Sequence, residues 1–324
     1  MDNWPVADWQ SLPELSSLKT GPHLREPTYD GIVVPEETPA VRYVADDAAI
    51  KAYCYAVDCQ DPWYFGPTSP FGKRIAPSAM VLKELMWLYQ TQYNRDRIRG
   101  FHQHEDVIFH APIPAGAELV LTGRNTEKFT KRGKGYFRHL SEARGCDGRL
   151  YVSQVNTELI DLSRSGIPDD PDPRQSRRLS TVWMGDAPVS VGLSPPPKGG
   201  MRLPEGTMTV DRAQASVFSG LIDGFVNLHT DRGVAAEMGF PDLVVQGLMS
   251  VCWLSETLTR WAGPVWLSGG SMSASFLKPM LAGRMTTVRT MVAQAKDGAV
   301  DLETSFVNAA GETQAVAFSR LRTG

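Results

Sequence analysis

No apolar run in the 324-residue chain approaches the ~20 consecutive residues that a membrane-spanning helix needs, so no membrane partner is expected. An excess of charge of either sign is also lacking. The 33 Lys and Arg against 36 Asp and Glu leave a net charge of −3, which argues against the basic surface that nucleic-acid binding requires. Cysteine is scarce. The four, Cys54, Cys59, Cys146 and Cys252, are scattered without metal-ligand spacing and read as free or buried thiols in a reducing compartment. The first ten residues, MDNWPVADWQ, have no basic region followed by an apolar stretch, so no secretory signal is expected and a cytoplasmic location is. The His-Gln-His run at 102–104 has no third ligand at suitable spacing, so no metal is expected.

What the chain does contain is ordinary globular composition, arranged twice. Residues 1–38 are rich in Pro, Glu, Asp and Ser and read as an N-terminal arm. A first unit follows at 39–163 and a second at 206–324. Between them, 164–205 is dominated by Pro, Gly, Ser and charge and reads as a linker, with one short ordered piece around Leu179–Trp183.

Each unit has a long apolar helix ahead of a run of β-prone segments. In the first, Asp46 or Asp47 caps a helix at about 46–57, and AMVLKELMWLYQTQY starts its helix at Pro77 and Ser78. Strands are predicted near 104–112, 117–127, 134–146 and 150–161, with Asp147-Gly148 as a hairpin signal. In the second, a strand near 206–210 leads to a helix at about 211–222, a loop, a long helix at 247–261, and strands near 265–277, 284–295, 299–308 and 313–321. Phe109-x-x-Pro-x-x-Ala-Gly116 repeats as Phe276-x-x-Pro-x-x-Ala-Gly283, which marks a duplication. A sheet with one buried face needs a helix laid across it. The expected fold is therefore α+β and resembles a double hotdog: two tandem hotdog units, each a long central helix wrapped by an antiparallel sheet.

The most informative stretch is 218–249, FSGLIDGFVNLHTDRGVAAEMGFPDLVVQGLM. Asp223 and His229 lie six positions apart around a glycine-bearing segment that reads as a loop. Thr230 and Asp231 are placed to cap a short helix stopped at Gly239, and Gln246-Gly247 opens the long helix. The stretch resembles the hydratase motif of MaoC-like dehydratases and (R)-specific enoyl-CoA hydratases. Phe218, Ser219, Leu221, His229, Asp231, Ala235, Gly239, Phe240, Gly247 and Met249 fall on motif positions. Three positions depart. Gly224 stands where the family has its acid, with Asp223 one place earlier; Asn227 is shifted and its proline absent; Gln246 replaces a histidine.

The resemblance implies a hydro-lyase that reversibly adds water to a 2-enoyl thioester. The expected substrate is an enoyl-CoA or 3-hydroxyacyl-CoA, with a mesaconyl-type branched dicarboxylic acyl-CoA as one possibility. The thioester is substrate and no cofactor is implied. Asp223 and His229 carry catalysis in this reading, and the Gly247 N–H at the helix start polarises the thioester oxygen. Asn227 orients the histidine or the water, and Gln246 lies beside the site. Ser255, two turns along, either faces the site or bonds to its own backbone. The first unit keeps an acid, Asp58 or Asp61, but has no histidine near its loop, so its Pro62-Trp63-Tyr64 is expected to shape the acyl pocket. A homodimer is expected. The Lys131–Gly135 run meets coenzyme A phosphates or is a solvated hairpin tip. The alternatives are a thioesterase on the same fold and a non-catalytic acyl-binding partner subunit.

Overall fold

A computed structural model gives the fold, and the residues it describes are 8–18, 21, 23–94, 97–98, 100–161, 172, 177–219 and 226–323. In the N-terminal unit, β1 (Glu36–Glu37), β2 (Val41–Val44), α1 (Asp47–Ala56), α2 (Pro62–Phe65), α3 (Leu82–Trp87), β3 (Phe101–Phe109), β4 (Glu118–Lys131), β5 (Lys134–Gly145) and β6 (Leu150–Asp161) follow in order. The C-terminal unit runs β7 (Gly206–Met208), α4 (Arg212–Ser219), α5 (Arg232–Glu237), β8 (Val244–Val245), α6 (Gly247–Ala262), α7 (Pro264–Leu267), β9 (Ser271–Phe276), β10 (Met280–Leu281), β11 (Thr286–Lys296), β12 (Ala299–Asn308) and β13 (Thr313–Arg322).

Among the described residues the two units share one eleven-stranded antiparallel sheet, ordered β1-β4-β5-β6-β3-β9-β13-β12-β11-β7 with β2 also on β4. The units meet where β3 pairs antiparallel with β9, from His104 opposite Ser275 to Ile108 opposite Ser271. The duplication is visible atom by atom. Asp46 accepts from the Ala49 N–H at 2.8 Å to cap α1, and Asp211 accepts from the Gln214 N–H at 2.7 Å at the same place in the second unit. Gly116 N–H donates to the Ala45 carbonyl and Gly283 N–H to the Val210 carbonyl, both at 2.8 Å. These two glycines have φ of 78° and 71°, the left-handed region that glycine enters without strain. Gly148, in the expected Asp-Gly hairpin, has φ of 82° for the same reason.

Helix α6 is buried nearly all round: Leu248, Cys252, Leu254 and Leu258 are fully enclosed, and Ser250, Ser255, Glu256 and Thr259 are buried with them. The matching helix of the first unit is shorter than its sequence predicts. It winds as 3₁₀ turns at Ser78–Val81 and Leu88–Thr91 around the α-helical Leu82–Trp87, and the Thr91 hydroxyl bonds back to the Leu88 carbonyl at 2.7 Å to end it. The strand expected near 265–277 begins only at Ser271. Pro264 opens the one-turn α7 instead, proline being favourable at a first helical position.

The proline- and glycine-rich segment is not a free tether in its described part. Ser180 and Thr181 direct two N–H and two O–H groups at the Glu303 carboxylate, at 2.7–2.8 Å. Trp183 lies against the guanidinium groups of Arg202 and Arg289. The Leu203 N–H donates to the Thr290 carbonyl, so residues up to 203 follow the edge of the second unit. Among its described residues this segment has no regular helix or strand, yet it is docked.

Candidate active site

A cavity of about 880 Å³ opens between the units, and the focal stretch forms one of its walls. Its chain path follows from local chemistry. Asn227 organises the turn: its Oδ1 accepts the His229 N–H at 2.7 Å, and its own N–H donates to the Thr230 hydroxyl at 3.0 Å. Asp231 caps α5 by accepting from the Val234 N–H at 2.9 Å, and Gly239, with φ of 85°, ends that helix. The chain then returns as β8, which pairs with β10, and enters α6 at Gly247.

The return of β8 fixes the histidine. His229 Nδ1–H donates to the Val244 carbonyl at 2.6 Å, which leaves the lone pair on Nε2. His229 lines the cavity, and burial lowers its pKa to about 4 despite the opposing effect of the Val244 carbonyl. At neutral pH the imidazole is therefore an uncharged acceptor, as a general base must be. Gly247 lines the same cavity as the first residue of α6, and no side chain caps that helix end. Its first N–H groups and the positive end of the helix dipole thus border the space beside His229.

Gly247 is required by packing as well. A Cβ there would lie 2.8 Å from the Phe276 ring, a distance real side chains do not adopt. Gln246 also lines the cavity, but its Nε2 donates to the Ser219 hydroxyl at 2.6 Å, which ties the end of α4 to the start of α6.

The other expected residues fall as follows. Asp223 lies outside the described residues. Asn227 lines the cavity, and its Oδ1 positions the histidine through the backbone N–H rather than through the ring. Ser255 is corrected: it is buried away from the cavity and accepts from Trp266 Nε1 at 3.0 Å. Position 255 lies too far along α6 from its open end, on the side facing α7. The Pro62–Phe65 helix is also not among the cavity walls. Its Tyr64 turns into the core, where burial raises the pKa of its hydroxyl. The turn at Arg132-Gly133 does not reach the cavity either.

What the N-terminal unit does contribute was not read from the sequence. Met86, Trp87 and Gln90 come from the end of its central helix, and His102 and Glu158 from its sheet. Two features hid the last two. A bulge between His102 and His104 puts them opposite the adjacent residues Glu158 and Thr157, so the two histidines leave opposite faces of β3. On β6, Gln154, Asn156 and Glu158 alternate with Val155, Thr157 and Leu159, yet the polar set is buried too, with Thr157 and Leu159. The period was legible; the face was not. Among the described residues no group of three or more His, Cys, Asp or Glu side chains is placed to hold a metal ion. No helix is long and apolar enough to cross a membrane.

Residues 196–314 match the family described as MaoC like domain. A MaoC-like dehydratase from Phytophthora capsici superposes with a TM-score of 0.66 at 16% identity, over 92% of this chain and 98% of its own. A Mycobacterium tuberculosis protein described as having a double hotdog fold gives 0.58 at 15% identity, over 91% and 97%. A Lactobacillus plantarum protein named as an oleoyl thioesterase gives 0.55 at 9% identity, over 90% and 98%. Comparison with curated protein sequences gives no match. The chain thus has the double-hotdog fold of its structural relatives, and residues 196–314 of its C-terminal half match a MaoC like domain.

Proposed function

We propose that this protein is a hydro-lyase that reversibly hydrates a 2-enoyl thioester, probed most simply as an enoyl-CoA. One observation carries the reading: a neutral imidazole whose Nε2 and a helix N-terminus whose N–H groups have no side-chain partner among the described residues border the same cavity. Hydration needs both. The Gly247 N–H donates a hydrogen bond to the thioester oxygen and favours the negative charge that develops there. Water then attacks Cβ and passes a proton to His229 Nε2, while Cα takes a proton from an acid. Asp223, six residues before His229 in sequence, is the candidate acid, with its partner histidine oriented by Asn227. The atoms of one water are added and nothing is oxidised. No cofactor enters the scheme.

Incubation with crotonyl-CoA tests it. Loss of the enone absorbance without release of free thiol is the expected result. Thiol release identifies a thioesterase, the activity for which a structurally similar protein is named. Binding of the thioester without turnover identifies an acyl-binding subunit. Light scattering tests the proposed homodimer, and fractionation the proposed cytoplasmic location.

A further inference from the structure

The wall supplied by the N-terminal unit is apolar at Met86, Trp87, Ile98 and Phe101, but one patch of it is polar. His102 on β3 and Glu158 on β6 are direct cross-strand partners, so their side chains leave the same face, and both line the cavity. Glu158 is only 6% exposed, and its Oε1 accepts from Asn156 Nδ2 at 2.9 Å. His102 Nε2–H donates to the His104 carbonyl at 3.0 Å with Glu105 Oε2 2.9 Å away, which leaves Nδ1 as an acceptor. The polar face continues behind them through Glu105, Asn156, Ser141 and His139, all fully buried. Asn156 Oδ1, Ser141 Oγ and His139 Nε2 have no hydrogen-bond partner among the described residues.

This wall stands close to the reacting end. The His102 ring is 4.8 Å from the Phe276 ring, and the Phe276 ring packs on Gly247. A thioester oxygen at the Gly247 N–H would therefore bring atoms a few carbons along the acyl chain against His102 and Glu158. A hydrocarbon there would cover the remaining carboxyl oxygen of Glu158 and Nδ1 of His102 without pairing either, which is unfavourable. A hydroxyl would donate to one of them.

We propose that His102 and Glu158 form a specificity subsite for an acyl group that carries a hydroxyl a few carbons beyond the thioester. This rests on the hydratase reading only for the ligand being an acyl thioester. The test compares two substrates of equal length, trans-2-hexenoyl-CoA and 5-hydroxy-trans-2-pentenoyl-CoA, which differ by a terminal methyl against a hydroxyl. The native protein is expected to favour the hydroxylated substrate by about tenfold to a hundredfold in kcat/KM, the range for a hydrogen bond to a charged or strongly polar partner. Glu158→Leu is expected to abolish that ratio, and Glu158→Gln, which keeps a carbonyl acceptor, to retain part of it. A folding defect lowers both substrates alike and leaves the ratio unchanged in the folded fraction, so the ratio is the readout. Preference of the native protein for the hexenoyl substrate, or a ratio indifferent to Glu158→Leu, overturns the proposal. If neither substrate is hydrated, the hydratase reading has failed and the subsite is decided separately by calorimetry with hexanoyl-CoA and 5-hydroxypentanoyl-CoA. Tighter binding of the hydroxylated ligand, lost in Glu158→Leu, then supports it; equal or weaker binding overturns it.

Discussion

The Tyr64 hydroxyl donates to the Glu256 carboxyl across 2.6 Å, and this bond joins the N-terminal unit to the central helix of the C-terminal one. Tyr53 donates to the other carboxyl oxygen at 2.9 Å, and the Cys59 thiol approaches at 3.3 Å. All of these groups are buried. Burial is the main influence on Glu256 and raises its pKa, while the three donors pull it back. A raised folded pKa means the folded state holds its proton longer. This titration therefore weakens the fold as pH rises from the unfolded carboxyl value of about 4.3 through the folded one. Glu256→Leu strands two buried hydroxyls, and at ~1–3 kcal/mol for each a loss of about 2–6 kcal/mol is expected. Adding Tyr53→Phe and Tyr64→Phe to that variant is expected to restore at least half, because an apolar replacement of a buried polar cluster is often near neutral. Urea midpoints for the three proteins check both statements.

The duplication makes its own prediction. At Gly116 and Gly283 a Cβ would meet nothing within 4 Å, so alanine there is opposed by backbone conformation alone. Each substitution is expected to lower stability by about 1–2 kcal/mol, the penalty of the left-handed region for a residue with a Cβ. Asparagine, which tolerates that region better, is expected to lower it by less. The two sites should give similar values, read as shifts of the thermal midpoint. A shift at only one of them would show that the turns are not equivalent.

Those glycines also show what the sequence made legible. Phe-x-x-Pro-x-x-Ala-Gly announced itself twice because a positive φ and a turn after a strand constrain residue type strongly. Asp46 and His229 were readable for the same reason, since a cap and a motif each demand a side chain at a fixed offset. Burial of a polar strand face imposes no such local demand. The alternation of Gln154, Asn156 and Glu158 is the same string whether that face meets water or the core, and only the pairing of β6 with β3 and β5 decides it. Ser255 failed differently: its spacing from Gly247 along the helix is right for neither the open end nor the cavity wall, and the indole of Trp266 claims its hydroxyl.

Catalysis should report the state of His229. In the proposed hydration its neutral form acts as base, and a pKa lowered by burial to about 4 keeps it neutral through the physiological range. The acid limb of kcat/KM for crotonyl-CoA hydration is therefore expected near pH 4 rather than near the ordinary histidine value of about 6.5. His229→Gln is expected to reduce kcat/KM by roughly 10²–10⁴-fold, the usual contribution of a positioned acid or base. Linkage has the matching sign. Between about pH 4 and 6.5 the unfolded chain binds a proton here that the folded chain does not, so this residue's contribution to stability rises with pH across that window and is lost below it. A native pH profile with its acid limb near 6.5 would show that the imidazole is not held in this environment.

Gly247 offers the sharpest mutational test, because two effects oppose each other there. Alanine is the better helix residue by up to ~1 kcal/mol, which on its own would stabilise α6. Its Cβ, however, would sit 2.8–3.0 Å from three atoms of the Phe276 ring, and overfilling a packed site is unfavourable by about 1–3 kcal/mol. Steric conflict is expected to win, so Gly247→Ala should be less stable than the native protein. The displaced ring would press on His102, its neighbour at 4.8 Å, and disturb the cavity wall beside the helix N-terminus. Activity should then fall by more than stability alone accounts for, with the loss in kcat as well as KM, since the oxyanion partner itself is moved. Phe276→Leu on the Gly247→Ala background removes the ring atoms that collide. Recovery of stability and of part of the activity in the double variant, measured as a coupling between the two substitutions, is the expected outcome. Independent, additive effects would mean that Gly247 is retained for some reason other than contact with Phe276.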